Sequence, residues 1–254
     1  MVSHVVKHVG SQPALRQKTG RVVRILGRYL GIPRPANRRP PPLDLLVATI
    51  LSQNTNDKNS HRAYTRLRER YPRWEDVTGA PLRGIESAIR SGGMARQKSR
   101  RIKEILVRVR TLGDGADLKQ LKRMSDDRVL THLTEFKGVG VKTAACVLLF
   151  SLGRDVFPVD THVHRICNRL GLVDRCKLPE HTFAAMRSQV PPGKAYSFHT
   201  NLIRFGRRVC RSNNPSCSVC PLHEECIYPH KGRRTAGVGV SPTHDRDFML
   251  LDNV

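Results

Sequence analysis

The chain has 254 residues, enough for one large domain or two small ones. Its formal net charge is +24, from 45 Lys plus Arg against 21 Asp plus Glu, which calls for a polyanionic partner: nucleic acid first, an acidic membrane surface second. No run of 18 apolar residues exists, so no helix is expected to span a bilayer, and an aromatic content of 5% speaks against a single-strand binder built on stacking platforms.

Nine Lys or Arg precede the first acidic residue, Asp44. Val22, Val23, Leu26, Tyr29 and Leu30 recur at helical spacing there, which predicts a basic amphipathic helix over about 14–30. An Arg-rich organellar presequence is the competing reading, but it has no need of that stripe. Residues 1–12 are expected to lack fixed structure. Ile32 to Pro42 is a Pro/Arg-rich linker that cannot continue a helix. Leu45, Leu46, Ala48, Thr49 and Ile50 make a nearly all-apolar helix, hence a buried one. Residues 57–71 form an amphipathic helix carrying Arg62, Arg66, Arg68 and Arg70. Ile102, Ile105, Leu106 and Val109 repeat at i, i+3, i+4, i+7, with Arg100, Arg101, Lys103, Arg108 and Arg110 outside. Ser125 is a good N-cap, and Asp126 and Asp127 suit the positive end of the helix it opens. Alternating strands and internal repeats are absent. After Gly232 the periodicity is lost, and 231–254 is expected to be a structureless tail.

The segment from Thr134 to His162 carries the chemistry. In Lys137-Gly138-Val139-Gly140 two glycines permit backbone conformations that residues with a Cβ resist. Such a turn, at the start of a helix, can aim successive N–H groups at one phosphate without regard to base sequence. An ordinary packing turn is the bland alternative. Leu130 and Leu133 lead in, Ala144, Ala145, Val147 and Leu148 lead out, and Lys142 sits at the mouth. Asp160 follows eighteen residues after Lys142, where the next helix begins. Four of the seven cysteines stand as Cys210-x6-Cys217-x2-Cys220-x5-Cys226. That spacing suits a metal site in a reducing compartment, and by itself it fits zinc and an iron–sulfur cluster equally. Cys146 and Cys167 lie in helical, partly apolar contexts and read as core.

Gly138-Val139-Gly140-Val141-Lys142-Thr143-Ala144, Val159-Asp160-Thr161-His162 and the four cysteines together resemble the helix-hairpin-helix DNA glycosylases, most closely the iron–sulfur branch of endonuclease III. The resemblance covers roughly Leu45 to Tyr228. It implies an all-α fold: a six-helix barrel over 43–154 containing the helix-hairpin-helix, an iron–sulfur domain made of 13–42 with 155–230, and a DNA cleft between them. It implies a 4Fe–4S cluster on Cys210, Cys217, Cys220 and Cys226. It makes Lys142 the nucleophile of a bifunctional glycosylase and abasic-site lyase acting on oxidised pyrimidines, and Asp160 the carboxylate that stabilises positive charge on the sugar. A lysine nucleophile needs a site that favours its neutral amine. The base must be flipped out of the duplex, and a wedge fills the gap. Counted along the family pattern, the wedge position falls on Asn54 with Gln53 beside it, and a second wedge falls on Met94. Phosphate contacts are implied for Lys137, Gly138, Val139 and Gly140. Arg204, Arg207 and Arg208 stand in for the basic residues that the family often carries in the loop after its first cysteine, a loop that here, over 211–216, has one charge. The expected partner is double-stranded DNA with damaged bases or abasic sites, bound by a monomer. The location is the nucleoid in a prokaryote, or the nucleus or mitochondrion otherwise. A glycosylase for uracil or thymine mismatches and a non-catalytic DNA-binding or redox-sensing module are the competing functions.

Overall fold

The computed structural model describes residues 11–111 and 118–232. The tails expected at 1–12 and 231–254 lie outside the described residues but for 11–12 and 231–232. Among the described residues there is no strand, and no helix is long and apolar enough to cross a membrane. The chain divides into two compact units: 11–34 with 155–232, the cysteine-bearing unit, and 35–154, the hairpin unit.

The linker between the first two helices is shared between the units. Asn201 Nδ2 donates to Gly31 O at 2.9 Å, holding its start to the cysteine-bearing unit. Arg39 donates to Leu149 O at 3.2 Å and Ser151 Oγ to Pro40 O at 2.7 Å, holding its end to the hairpin unit. The passage therefore falls after Arg34 and not at Pro42. Helix α1 (Gln12–Leu30) buries Thr19, Val22 and Leu26, while Val23, Tyr29 and Leu30 are half-buried.

In the hairpin unit, α2 (Pro42–Ser52) is the core, with every residue from Leu43 to Leu51 buried except Asp44. Cutting a core side chain such as Leu46 to Ala should cost roughly 2–5 kcal/mol. Asp44 accepts from Tyr64 Oη at 2.9 Å and Trp74 Nε1 at 3.2 Å, which ties α2 to α3 (Asp57–Arg70) and α4 (Trp74–Gly79). Asn56 opens α3, its side chain accepting the Asn59 N–H at 2.9 Å. After α5 (Leu82–Ala88) comes α6 (Ala95–Thr111), whose buried stripe includes Ile102, Ile105, Leu106 and Val109 as the periodicity predicts. Ser125 caps α7 (Asp126–Thr134). Helix α8 (Val141–Cys146) follows the glycine turn and runs into a π-helical turn over Val147–Ser151.

In the cysteine-bearing unit, α9 (Thr161–Leu170) packs against α10 (Pro179–Met186) and α11 (Ala195–Arg208), and α11 also packs on α1. Asp155 accepts the N–H groups of Gly193 and Ala195, at 2.5 and 3.0 Å, and so fixes the start of α11. Arg21 and Glu225 pair through two hydrogen bonds of 2.7 and 3.2 Å, which anchors α1 to the cysteine segment. Cys146 and Cys167 are buried core residues, and burial pushes the Cys167 thiol up.

Candidate functional site

The turn before α8 is built on two buried anchors. Phe136 and Val139 point into the core, and the Val139 N–H donates to Phe136 O at 3.0 Å. Val139 is thus an anchor, and its side chain is not a surface contact. Lys137, Gly138 and Gly140 are exposed. Gly138 has φ +84°, a conformation that residues with a Cβ resist. Gly140 corrects the sequence reading. Its φ is −92°, open to any residue, and a Cβ there would meet nothing within 4 Å. Glycine at 140 keeps open space in front of the helix and does not shape the turn. No side chain caps α8, so its first-turn N–H groups are available to an anion. Lys142 stands on that first turn, half-buried.

The two wedge candidates part company in the structure. Gln53 is tied down: its Nε2 donates to Gly138 O at 3.2 Å, and its Oε1 accepts from Arg101 at 3.3 Å. Asn54 is exposed, has φ +53°, and its Nδ2 lies 3.7 Å from Met94 Sδ. Met94 is 49% exposed, with φ +50°. Its carbonyl accepts the N–H groups of Gln97 and Lys98, so Met94 opens α6 and still presents its side chain outward. Beside the turn lies an open groove of about 620 Å³ lined by Arg96, Arg100, Arg101 and Lys137, with Glu104 the one acid. Periodicity puts Arg100 and Arg101 outside the core without joining them to the turn.

In the cysteine-bearing unit, Asp160 caps α9, its Oδ1 accepting the Val163 N–H at 2.8 Å. His162 packs against Gly206 of α11, where a Cβ would come within 2.9 Å of its ring, and burial lowers its pKa. Arg165 donates to Gly206 O and Cys210 O, at 3.1 and 2.8 Å, strapping α9 to the first cysteine.

Cys210, Cys217, Cys220 and Cys226 all border one small cavity walled by Leu170, Phe205 and Leu222. None is in a disulfide. Burial pushes the thiols of Cys217 and Cys226 up, and that of Cys220 to about 12. Ligation of a metal here must therefore displace protons. Arg169 supplies opposing charge: it donates to Cys210 Sγ at 3.4 Å and lies over the Tyr228 ring at 4.4 Å. It also donates to Arg211 O and Ser212 O, at 2.7 and 2.9 Å, so this guanidinium holds the weakly charged loop. Among the described residues, no three His, Cys, Asp or Glu form a group suited to a single metal ion. Arg207 is exposed and Arg208 half-buried at the end of α11.

Sequence reasoning passed over Lys98 and the Arg101–Gln53–Gly138 bridge. Lys98 had a signal, since it falls four residues before Ile102 on the buried stripe of α6.

Comparisons with known proteins agree with this geometry. The family profile described as "HhH-GPD superfamily base excision DNA repair protein" matches residues 47–192. Endonuclease III of Thermotoga maritima is 36% identical over 194 residues, covering 76% of this chain and 86% of that one. The Arabidopsis thaliana protein named "Putative DNA glycosylase At3g47830" is 39% identical over 189 residues, covering 71% of this chain and 64% of that one. An endonuclease III in a non-covalent complex with DNA superposes with a TM-score of 0.72 at 27% identity, over 84% of this chain and 95% of that one.

Proposed function

The chain belongs to the HhH-GPD superfamily of base excision DNA repair proteins, and from that membership we propose that it is a bifunctional DNA glycosylase and abasic-site lyase acting on oxidised pyrimidines in duplex DNA, as a monomer. The observation that carries the reading is Lys142, an amine on the first turn of a helix whose N-terminus is uncapped and faced by open space at Gly140. A phosphate held on those N–H groups brings the sugar backbone to the lysine's helix.

The chemistry then runs in two parts. The glycosidic bond breaks, and the base leaves with its electron pair and takes up a proton. The Lys142 nitrogen forms a bond to C1′, loses its own proton, and the opened sugar becomes a Schiff base. The iminium acidifies C2′. Removal of that proton expels the 3′ phosphate and cuts the strand. Asp160, fixed by its hydrogen bond to the Val163 N–H, is the carboxylate assigned to stabilise positive charge on the sugar. The turn and the Arg101 groove serve phosphate binding, and Asn54 with Met94 serves as the wedge.

Cys210, Cys217, Cys220 and Cys226 are the residues to hold a 4Fe–4S cluster. Four thiols on one cavity supply the four-thiolate set that such a cluster takes, and the relationship to endonuclease III supports it over zinc. When bound, the cluster crosslinks the segment from Cys210 to Cys226 and does no chemistry on the sugar.

A panel of duplexes, each with one defined lesion, tests the function. Oxidised pyrimidines should be excised and the strand cut, while Lys142→Ala leaves both strands whole. Excision by wild type confined to uracil or thymine mismatches would replace the lesion class, and binding without excision of any lesion would leave only a DNA-binding module.

A further inference from the structure

The least expected side chain in the hairpin unit is Lys98, only 1% exposed. Its Nζ lies 2.7 Å from Leu51 O and 2.7 Å from Gly92 O. Leu51 is in the last turn of α2, where carbonyls lack intrahelical partners and the helix end favours a cation. Three residues on stands Asn54. Gly92 stands two residues before Met94. A single ammonium therefore grips the backbone just ahead of both exposed wedge residues.

Those residues need such a grip. Asn54 and Met94 hold φ of +53° and +50° and touch at 3.7 Å. A left-handed conformation is costly for Met94 and persists only where surroundings impose it, while Asn54 adopts it more readily. Burial, with the Arg101 charge nearby, holds the Lys98 amine down to about 8. An apolar residue on this stripe would avoid that burden but leave both carbonyls without a donor.

We propose that Lys98 is a positioning residue for base extrusion, setting the spacing of Asn54 and Met94 so that the pair enters the duplex as one rigid wedge. The proposal rests on the glycosylase reading above. It assigns Lys98 no contact with DNA and no part in bond breaking. Its requirement is greatest where a stacked, paired base must be displaced, and smallest where the base is already unstacked.

The test compares wild type, Lys98→Met and Lys98→Arg on one oxidised pyrimidine in two settings: paired in a duplex, and in a single-nucleotide bulge. Methionine fills the space without donating. Arginine donates but is longer and planar, so it displaces the two carbonyls. The ratio of single-turnover excision rates, bulge over paired, should rise on the order of tenfold in Lys98→Met and by less in Lys98→Arg. Unfolding temperature is recorded beside each rate. An unchanged ratio in the folded variants, even with both rates lowered together, would show an ordinary structural lysine and overturn the proposal. If Lys98→Met does not fold, the Lys98→Arg ratio decides in the same way. Fluorescence of 2-aminopurine opposite the lesion reports unstacking without chemistry. It should rise on binding of wild type and rise less with either variant. Should wild type excise nothing, the enzymatic reading fails by itself, and equal fluorescence for wild type and variants would independently refute the role of Lys98.

Discussion

Replacing each glycine of the turn with alanine should separate its architecture from its binding role. At Gly138, φ is +84° and a Cβ would come within 2.8 Å of Arg101 Cδ and Nε. The conformational term alone is about 1–2 kcal/mol. Arg101 can swing away, but it then gives up its 3.3 Å bond to Gln53, a half-exposed contact contributing about 0.5–1 kcal/mol. The sum is about 1.5–3 kcal/mol, or a fall in unfolding temperature of roughly 3–12 °C for a domain of this size. At Gly140, φ is −92° and the space is open, so Gly140→Ala should stay within about 0.5 kcal/mol of wild type. Its methyl would stand where the proposed phosphate site lies, and affinity for an abasic-analogue duplex should fall on the order of tenfold, about 1.4 kcal/mol. Thermal unfolding by circular dichroism and anisotropy of a labelled duplex measure the two effects. Gly140→Ala that unfolds as early as Gly138→Ala, or that binds like wild type, would refute this division of labour.

Asp160→Asn keeps the cap on the Val163 N–H and removes the charge, so the protein should fold normally while base excision falls by at least about tenfold; a smaller fall would make Asp160 a cap only. Purified protein should be yellow-brown with about four irons per chain, and stoichiometric zinc after anaerobic preparation would contradict the cluster. Lys98 is lowered to about 8 in the folded chain, so between about 8 and its usual 10.4 the unfolded state binds more protons and stability rises with pH. Denaturant titrations should therefore show wild type gaining on Lys98→Met from about pH 7 to 10, and parallel curves would contradict the lowering of the Lys98 amine by burial. Binding to undamaged duplex should be steeply salt-dependent, dropping on the order of a thousandfold between roughly 50 and 200 mM salt, and anisotropy independent of salt would rule out phosphate neutralisation.

Much of this was legible in the chain itself, for local reasons. The apolar run of α2, the stripe of α6, and the caps at Ser125 and Asp160 are set by neighbours a few residues away. The order Gly138-Val139-Gly140-Val141-Lys142 announced a turn feeding a helix, though composition could not say which glycine shapes it. The backbone angles and the space around each Cβ position separate Gly138 from Gly140. The tie from Gln53 to Gly138 O spans 85 residues and leaves Asn54 the more exposed of the two side chains. Lys98 reads as a break in an apolar stripe until its two carbonyl partners are seen, one of them 47 residues away. The split of the linker at Arg34 likewise depends on Asn201 and Ser151, partners that nothing in the Pro/Arg-rich segment specifies.

The central claim is that Lys142 is the nucleophile. Borohydride reduction with an abasic duplex followed by peptide mapping tests it most directly, because only an amine bonded to C1′ leaves a stable adduct. The account predicts one covalent complex, its mass on the peptide containing Lys142, and none from Lys142→Ala although that variant still binds the duplex. An adduct of undiminished yield in Lys142→Ala, or one mapped to another amine, would contradict it.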